Sequence, residues 1–189
     1  RAMLVPVMAR VGFTAVEGES PLVTNLRETL ITSLGASGDA DVLARARDYF
    51  GKLQRDPNAI PPAIRGPILG TYARNATAAE WDALLAVTRA EKNPVAKNTY
   101  VRLLGAARDD AIAARALELL KGSDLTTPQK ASLLASIAGR HPDMAFDFAV
   151  ANLDLVNGLL ETSTRAGFVV GLAAGSNDPA MPAKITAFA

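Results

Sequence analysis

Apolar positions recur at helical spacing along the whole chain, and short clusters of Gly, Pro, Ser, Thr, Asn and Asp separate the periodic stretches. The first stretch covers residues 2–11 and stops at Gly12; residues 13–20 read as a loop. Pro21 opens a second helix in which Leu22, Leu26, Leu30 and Leu34 recur every four residues, a pattern expected to form one apolar stripe. Gly35 and Gly38 are expected to end it by taking left-handed backbone. Asp39 is placed to cap a third helix to about residue 53, with Val42, Leu43, Ala46, Tyr49 and Phe50 inward. After a turn at 58–62, Pro61 and Pro62 start a helix whose core face is Ile64, Ile68, Leu69 and Tyr72. Pro67 lies one turn in and predicts an irregular beginning there.

The second half repeats the grammar. Thr77-Ala78-Ala79-Glu80 reads as a capping box before Trp81, Leu84, Leu85 and Thr88. Asn93-Pro94 opens a helix with Tyr100, Leu103 and Leu104, and Asp109 or Asp110 caps one through Ile112, Ala116, Leu119 and Leu120. Thr127-Pro128 precedes Leu133, Leu134 and Ile137, while His141-Pro142 precedes Phe146, Phe148, Val150 and Leu153. A last clear helix is expected over about 160–174, where Gly167, Gly171 and Gly175 suggest close helix packing, and a further one over 181–189. Start points lie roughly 16–18 residues apart with short connections and no strand alternation, so neighbours run antiparallel. The pattern predicts an all-α chain: a single HEAT-like α-solenoid, or superhelix, of about ten antiparallel helices over residues 1–189.

Composition agrees. Hydrophobic residues make up 49% and charged residues 21%, as in a folded chain, with aromatics at only 5%. Alanine, the best helix former, is abundant. Twenty basic and nineteen acidic residues give a formal charge of +1, which leaves no basic field for nucleic acid. No apolar run reaches the ~20 residues of a membrane span. The first six residues carry no export signal. Met3 comes late for a natural start and the helical pattern begins at once, so the chain is expected to be a fragment of a longer protein, with compartment unassigned.

Catalytic chemistry is hard to build from these residues. Cysteine is absent, which removes disulfides, thiol nucleophiles and thiolate metal ligands. His141 is the only histidine, and catalytic zinc typically takes three protein ligands. His141 is expected to be an interhelix turn residue. Asp109 and Asp110 are adjacent and would point about 100° apart on a helix, which suits a cap better than an acid–base pair. Phosphate-binding, dinucleotide and nucleophile-elbow motifs do not occur.

Several stretches, in order, resemble the C-terminal helical domain of the zinc aminopeptidases related to aminopeptidase N and the endoplasmic-reticulum aminopeptidases. They are Val11-Gly12-Phe13, then Glu17-Gly18-Glu19-Ser20, then Leu26-Arg27; Gly38-Asp39 with Ala46-Arg47-Asp48-Tyr49-Phe50; and Ile60-Pro61-Pro62-Ala63-Ile64-Arg65 followed by Trp81. Glu91-Lys92, Leu103-Leu104-Gly105, Arg108-Asp109, and Phe148 with Ala151 and Asn152 continue the likeness to the end of the chain. Leu153 stands where the family has tryptophan, and His141-Pro142 where it has asparagine and proline.

The resemblance, to a bacterial member, implies a non-catalytic domain of a larger zinc aminopeptidase. That domain closes the active-site chamber and contacts the distal part of a peptide substrate. It implies zinc in a separate catalytic domain of the same chain, marked by H-E-x-x-H, and no cofactor in this part. Arginines 65, 74, 102, 108 and 140 lie near helix ends, where capping of carbonyls is their ordinary role. Given the resemblance, Arg102, Arg65 and Arg108 become candidates for contact with a peptide carboxylate, Arg102 first. The competing reading is a free-standing α-solenoid whose groove binds another protein; an enzyme with its site inside the array is a third.

Overall fold

The computed structural model describes residues 1–188, so the expectation for Ala189 lies outside the described residues. Among these the chain is all-helical, with twelve α-helices, one 3-10 turn and no strand. It divides into two compact units at the link between residues 77 and 78. No helix among the described residues is long and apolar enough to cross a membrane.

The first unit holds α1 (Leu4–Val11), α2 (Pro21–Ala36), α3 (Ala40–Leu53) and α4 (Pro62–Arg74). α4 packs against both α2 and α3, and α1 lies on α2. Leu30, Ile31, Leu34, Val42, Ala46, Phe50, Ile64, Ile68 and Leu69 are its buried centre, where the Phe50 and Tyr72 rings stack 3.9 Å apart. The capping signals act as their chemistry dictates. Ser20 Oγ accepts from Leu22 N at 3.3 Å, Gly38 turns the chain at φ 71°, and Asp39 Oδ1 accepts from Val42 N at 3.3 Å.

Three expectations fail in this unit. Leu22 is 77% exposed and Leu26 41% exposed, so the four-leucine stripe is not the core face. A step of four residues turns 400°, and the surplus accumulates until the two ends of the series face different ways. The buried set is instead Arg27, Leu30, Ile31 and Leu34, at true helical spacing. Gly35 does not end α2. It lies inside the helix and is buried where α2 crosses α4, and a methyl there would overlap the Thr71 side chain. α4 also runs unbroken from Pro62 with Pro67 inside it, rather than beginning irregularly.

The second unit holds α5 (Ala78–Ala90), α6 (Pro94–Leu104), α7 (Asp110–Glu118), α8 (Thr127–Ala138), α9 (Pro142–Ala151), α10 (Leu153–Gly158), a 3-10 turn (Thr162–Thr164), α11 (Arg165–Leu172) and α12 (Met181–Phe188). α6 packs on α5 and α8, and α9 packs on α7, α8, α10 and α11. Contacts thus join both successive helices and next-but-one helices, the packing of an α-solenoid-like fold. Asn93 Oδ1 accepts from Val95 N and Ala96 N at 2.9 and 3.2 Å, and Asp109 Oδ1 from Ile112 N at 3.1 Å.

The last third departs most from expectation. Val150 and Leu153 are 40% and 37% exposed; the inward residues of α9 are Ala145, Phe146 and Ala149. Asn152 Nδ2 donates to Phe148 O at 2.8 Å where the helix breaks, and a short helix, α10, follows. The expected 160–174 helix shortens to the 3-10 turn plus α11. Gly167 and Gly171 do not serve close packing, because a methyl on either would meet open space.

Candidate functional site

The densest polar cluster is built around Arg27. Its place on the inner face of α2 buries the guanidinium completely, which requires partners for its donors. Glu19 supplies them from the loop before α2: Nη1 lies 2.6 Å from Oε1 and Nη2 2.7 Å from Oε2. Nε donates to Gly12 O at 2.9 Å and Nη2 to Val11 O at 3.3 Å. Thr24 Oγ1 and Val16 N donate to the same carboxylate. The Arg27 guanidinium, with the Val16 N–H, holds the Glu19 carboxyl down to about 2, and the carboxylate in turn raises Arg27. One arginine therefore ties the end of α1, the loop and α2 together.

Two further nodes organise the second unit. Trp81 is buried and its Nε1 donates to Leu104 O at 2.9 Å, while Arg115 stacks over the indole at 4.7 Å. Next to that carbonyl is Gly105, where a Cβ would stand 2.9 Å from Ile137 N; its lack of a side chain lets α8 approach the end of α6. His141 sits before α9 with Nε2 2.8 Å from Ala107 O and Nδ1 2.9 Å from Asp110 Oδ1.

Val11, Gly12, Glu19 and Arg27 form the first of these clusters; Trp81, Leu104 and Gly105 form the second. All of these residues belong to the stretches that resemble the family. Their shared property is structural: each joins elements that a helical period cannot join. Sequence reasoning missed the pairing of Glu19 with Arg27 because the two are brought together by a loop.

Two open clefts are large enough to receive a chain segment. In the first unit a cleft of about 600 Å³ is walled by Val5, Met8, Phe13, Leu34 and Val42, with Arg45 at its polar side. Arg45 Nε lies 3.2 Å from Asp41 Oδ2, and its guanidinium covers the Phe13 ring at 4.5 Å. In the second unit a groove of about 450 Å³ runs between the end of α8 and α11, floored by Ala138, Gly167, Gly171 and Leu172, with Arg140 at the rim.

Of the arginines singled out from sequence, Arg140 borders the second groove, whereas the three peptide-contact candidates, Arg102, Arg65 and Arg108, line neither cleft. Arg65, on α4 in the first unit, is half-buried and its Nη1 donates to Pro57 O at 2.6 Å, a carbonyl-capping role. Arg102, in the second unit, is exposed on α6, with Nη2 3.5 Å from Thr99 Oγ1; its own carbonyl accepts from Ser136 Oγ at 2.6 Å. Arg108 is exposed in the turn before α7. No three His, Cys, Asp or Glu side chains among the described residues converge as a metal site would require. These surfaces present exposed guanidinium groups and apolar walls.

The family model described as "ERAP1-like C-terminal domain" covers residues 1–189, the length of the chain. No curated protein matches the sequence.

Proposed function

The chain belongs to the ERAP1-like C-terminal domain family, and from that membership we propose that it is the non-catalytic C-terminal domain of a zinc aminopeptidase. In this reading residues 1–189 form one part of a longer protein, and a zinc ion held in a separate catalytic domain would supply the activated water for hydrolysis of the first peptide bond. The helical domain closes the active-site chamber, limits water access and contacts the distal part of the peptide. The observation that carries the reading is the family match over every residue of the chain.

Peptide contact is assigned to guanidinium groups, the exposed Arg102 first, with the half-buried Arg65 and the exposed Arg108 as further candidates. A guanidinium fork matches a carboxylate in two parallel hydrogen bonds, which suits capture of a peptide terminus. The test uses the full-length parent and a ladder of peptides of increasing length. Arg102→Ala is expected to raise KM for long peptides while leaving that for dipeptides unchanged; an unchanged KM at every length removes Arg102 from the site. The coding sequence upstream decides the larger point. An H-E-x-x-H segment there supports the aminopeptidase reading, and its absence favours a free-standing α-solenoid that binds another protein.

A further inference from the structure

The cleft of about 600 Å³ in the first unit is lined by Val5, Met8 and Ala9 of α1, Phe13 of the following loop, Leu34 of α2 and Val42 of α3. The charged side chains at its border are spent on one another. Arg1 Nε lies 3.0 Å from Asp39 Oδ2, and Arg45 Nε 3.2 Å from Asp41 Oδ2. What the cleft offers an occupant is therefore apolar surface. α1 itself is covered on one side only. It spans eight residues, packs on α2 and buries Met8, while Val5 stays 42% exposed and Ala9, one turn further on, is exposed as well. A helix this short is marginal on its own. In a stack of helices each element buries its apolar face on the next, and the outermost one turns a polar side outward. Val5 and Ala9 give α1 an apolar outer side instead, continuous with the cleft, and such a surface is one that another element covers.

We propose that the cleft between α1 and α3 seats an amphipathic helix supplied by the segment of the parent chain immediately upstream of residue 1. The proposal rests on the reading of residues 1–189 as a C-terminal domain, for which further chain lies upstream. Position selects this occupant over a separate protein. Arg1 lines the cleft, and its side chain is tied to Asp39, which also caps α3 through Val42 N. Chain arriving at residue 1 therefore arrives at the cleft, and a segment tethered there meets it at an effective concentration on the order of millimolar. A helix of ~10–14 residues with a connection of ~2–8 reaches the seat, which places the occupant within about 25 residues upstream. That segment should carry apolar side chains at helical spacing toward Val5 and Ala9, with polar ones on its other side.

The test is made in the full-length parent. The 189-residue chain has no cysteine, so Ala9→Cys puts its one thiol in the cleft, and Gln54→Cys puts one at the exposed end of α3 outside it. Alkylation by iodoacetamide is read at each site by peptide mass spectrometry. The Ala9→Cys thiol is expected to react at least about ten-fold more slowly than the Gln54→Cys thiol, because its access requires the seated helix to open. Equal rates mean an uncovered cleft and overturn the proposal. Photo-methionine in place of methionine then identifies the occupant from Met8, in a chain otherwise unaltered. Crosslinks to the ~25 residues upstream of residue 1 support the proposal. Crosslinks confined to residues 1–77, or reaching a more distant part of the parent or a second protein, overturn it, and this readout decides even if Ala9→Cys does not fold. A parent with no chain ahead of residue 1 overturns it too. Absence of H-E-x-x-H upstream removes the aminopeptidase reading but alters neither measurement, so the two failures are distinct.

Discussion

At Gly35 and Gly105 the absent side chain is a packing requirement, since a methyl would press into Thr71 at the first and against the Ile137 backbone at the second. At Gly171 it is not, because the same methyl meets nothing. Alanine is favoured over glycine in a helix by roughly 0.5–1 kcal/mol. Gly171→Ala should therefore raise stability by about that amount, slightly less because α11 is short, and Gly105→Ala should lower it by about 1–3 kcal/mol through overpacking. Thermal unfolding of the two variants checks both signs; stabilisation by Gly105→Ala would remove the close approach of α6 and α8 from the account. Trp81 makes a second residue-scale case. Trp81→Phe keeps most of the apolar volume but leaves the buried Leu104 carbonyl without its donor, at a cost of about 1–3 kcal/mol.

Within elements, periodicity decides which residues matter more than hydrophobicity does. Leu22 and Leu30 have the same side chain on the same helix, yet Leu22 is 77% exposed and Leu30 2%. Leu30→Ala should cost about 2–5 kcal/mol and Leu22→Ala about 0.5 kcal/mol or less, measurable as shifts in denaturant midpoint at constant slope. The same example shows how far the sequence can be read. Helix starts at Pro21, Pro62, Pro94 and Pro142 were legible because a proline or a capping side chain acts within one turn of itself. The face α2 buries was not, because an arginine stands among its inward positions and its partner Glu19 lies in a loop. The α9–α10 break was missed because Asn152 bonding to Phe148 O resembles any other asparagine until the backbone is seen. For the site, family membership was legible from ordered motifs. What those residues do was hidden in contacts between distant positions, such as His141 with Ala107 and Trp81 with Leu104.

Across the molecule, the two units answer acid differently because their polar nodes differ in chemistry. The first unit is held by an ionised carboxylate: Glu19 bridges Arg27, Thr24 and the Val16 N–H, and its carboxyl is held down to about 2. A group whose folded value lies below the model value of 4.5 contributes stability that is complete above that value. That contribution is lost as pH falls toward 2. Protonating Glu19 also strands a fully buried guanidinium, which amplifies the loss. The buried node of the second unit, Trp81 on Leu104 O, has no proton to gain in that range. Hydrogen exchange at pH ~3, between those two limits, should therefore show amides of α1 and α2 losing protection before those of α5 and α6. Glu19→Gln should show the same early opening already at neutral pH. Simultaneous loss of protection in both units on acidification, with Glu19→Gln indistinguishable from the wild type, would mean that the Arg27 cluster is not what holds the first unit closed.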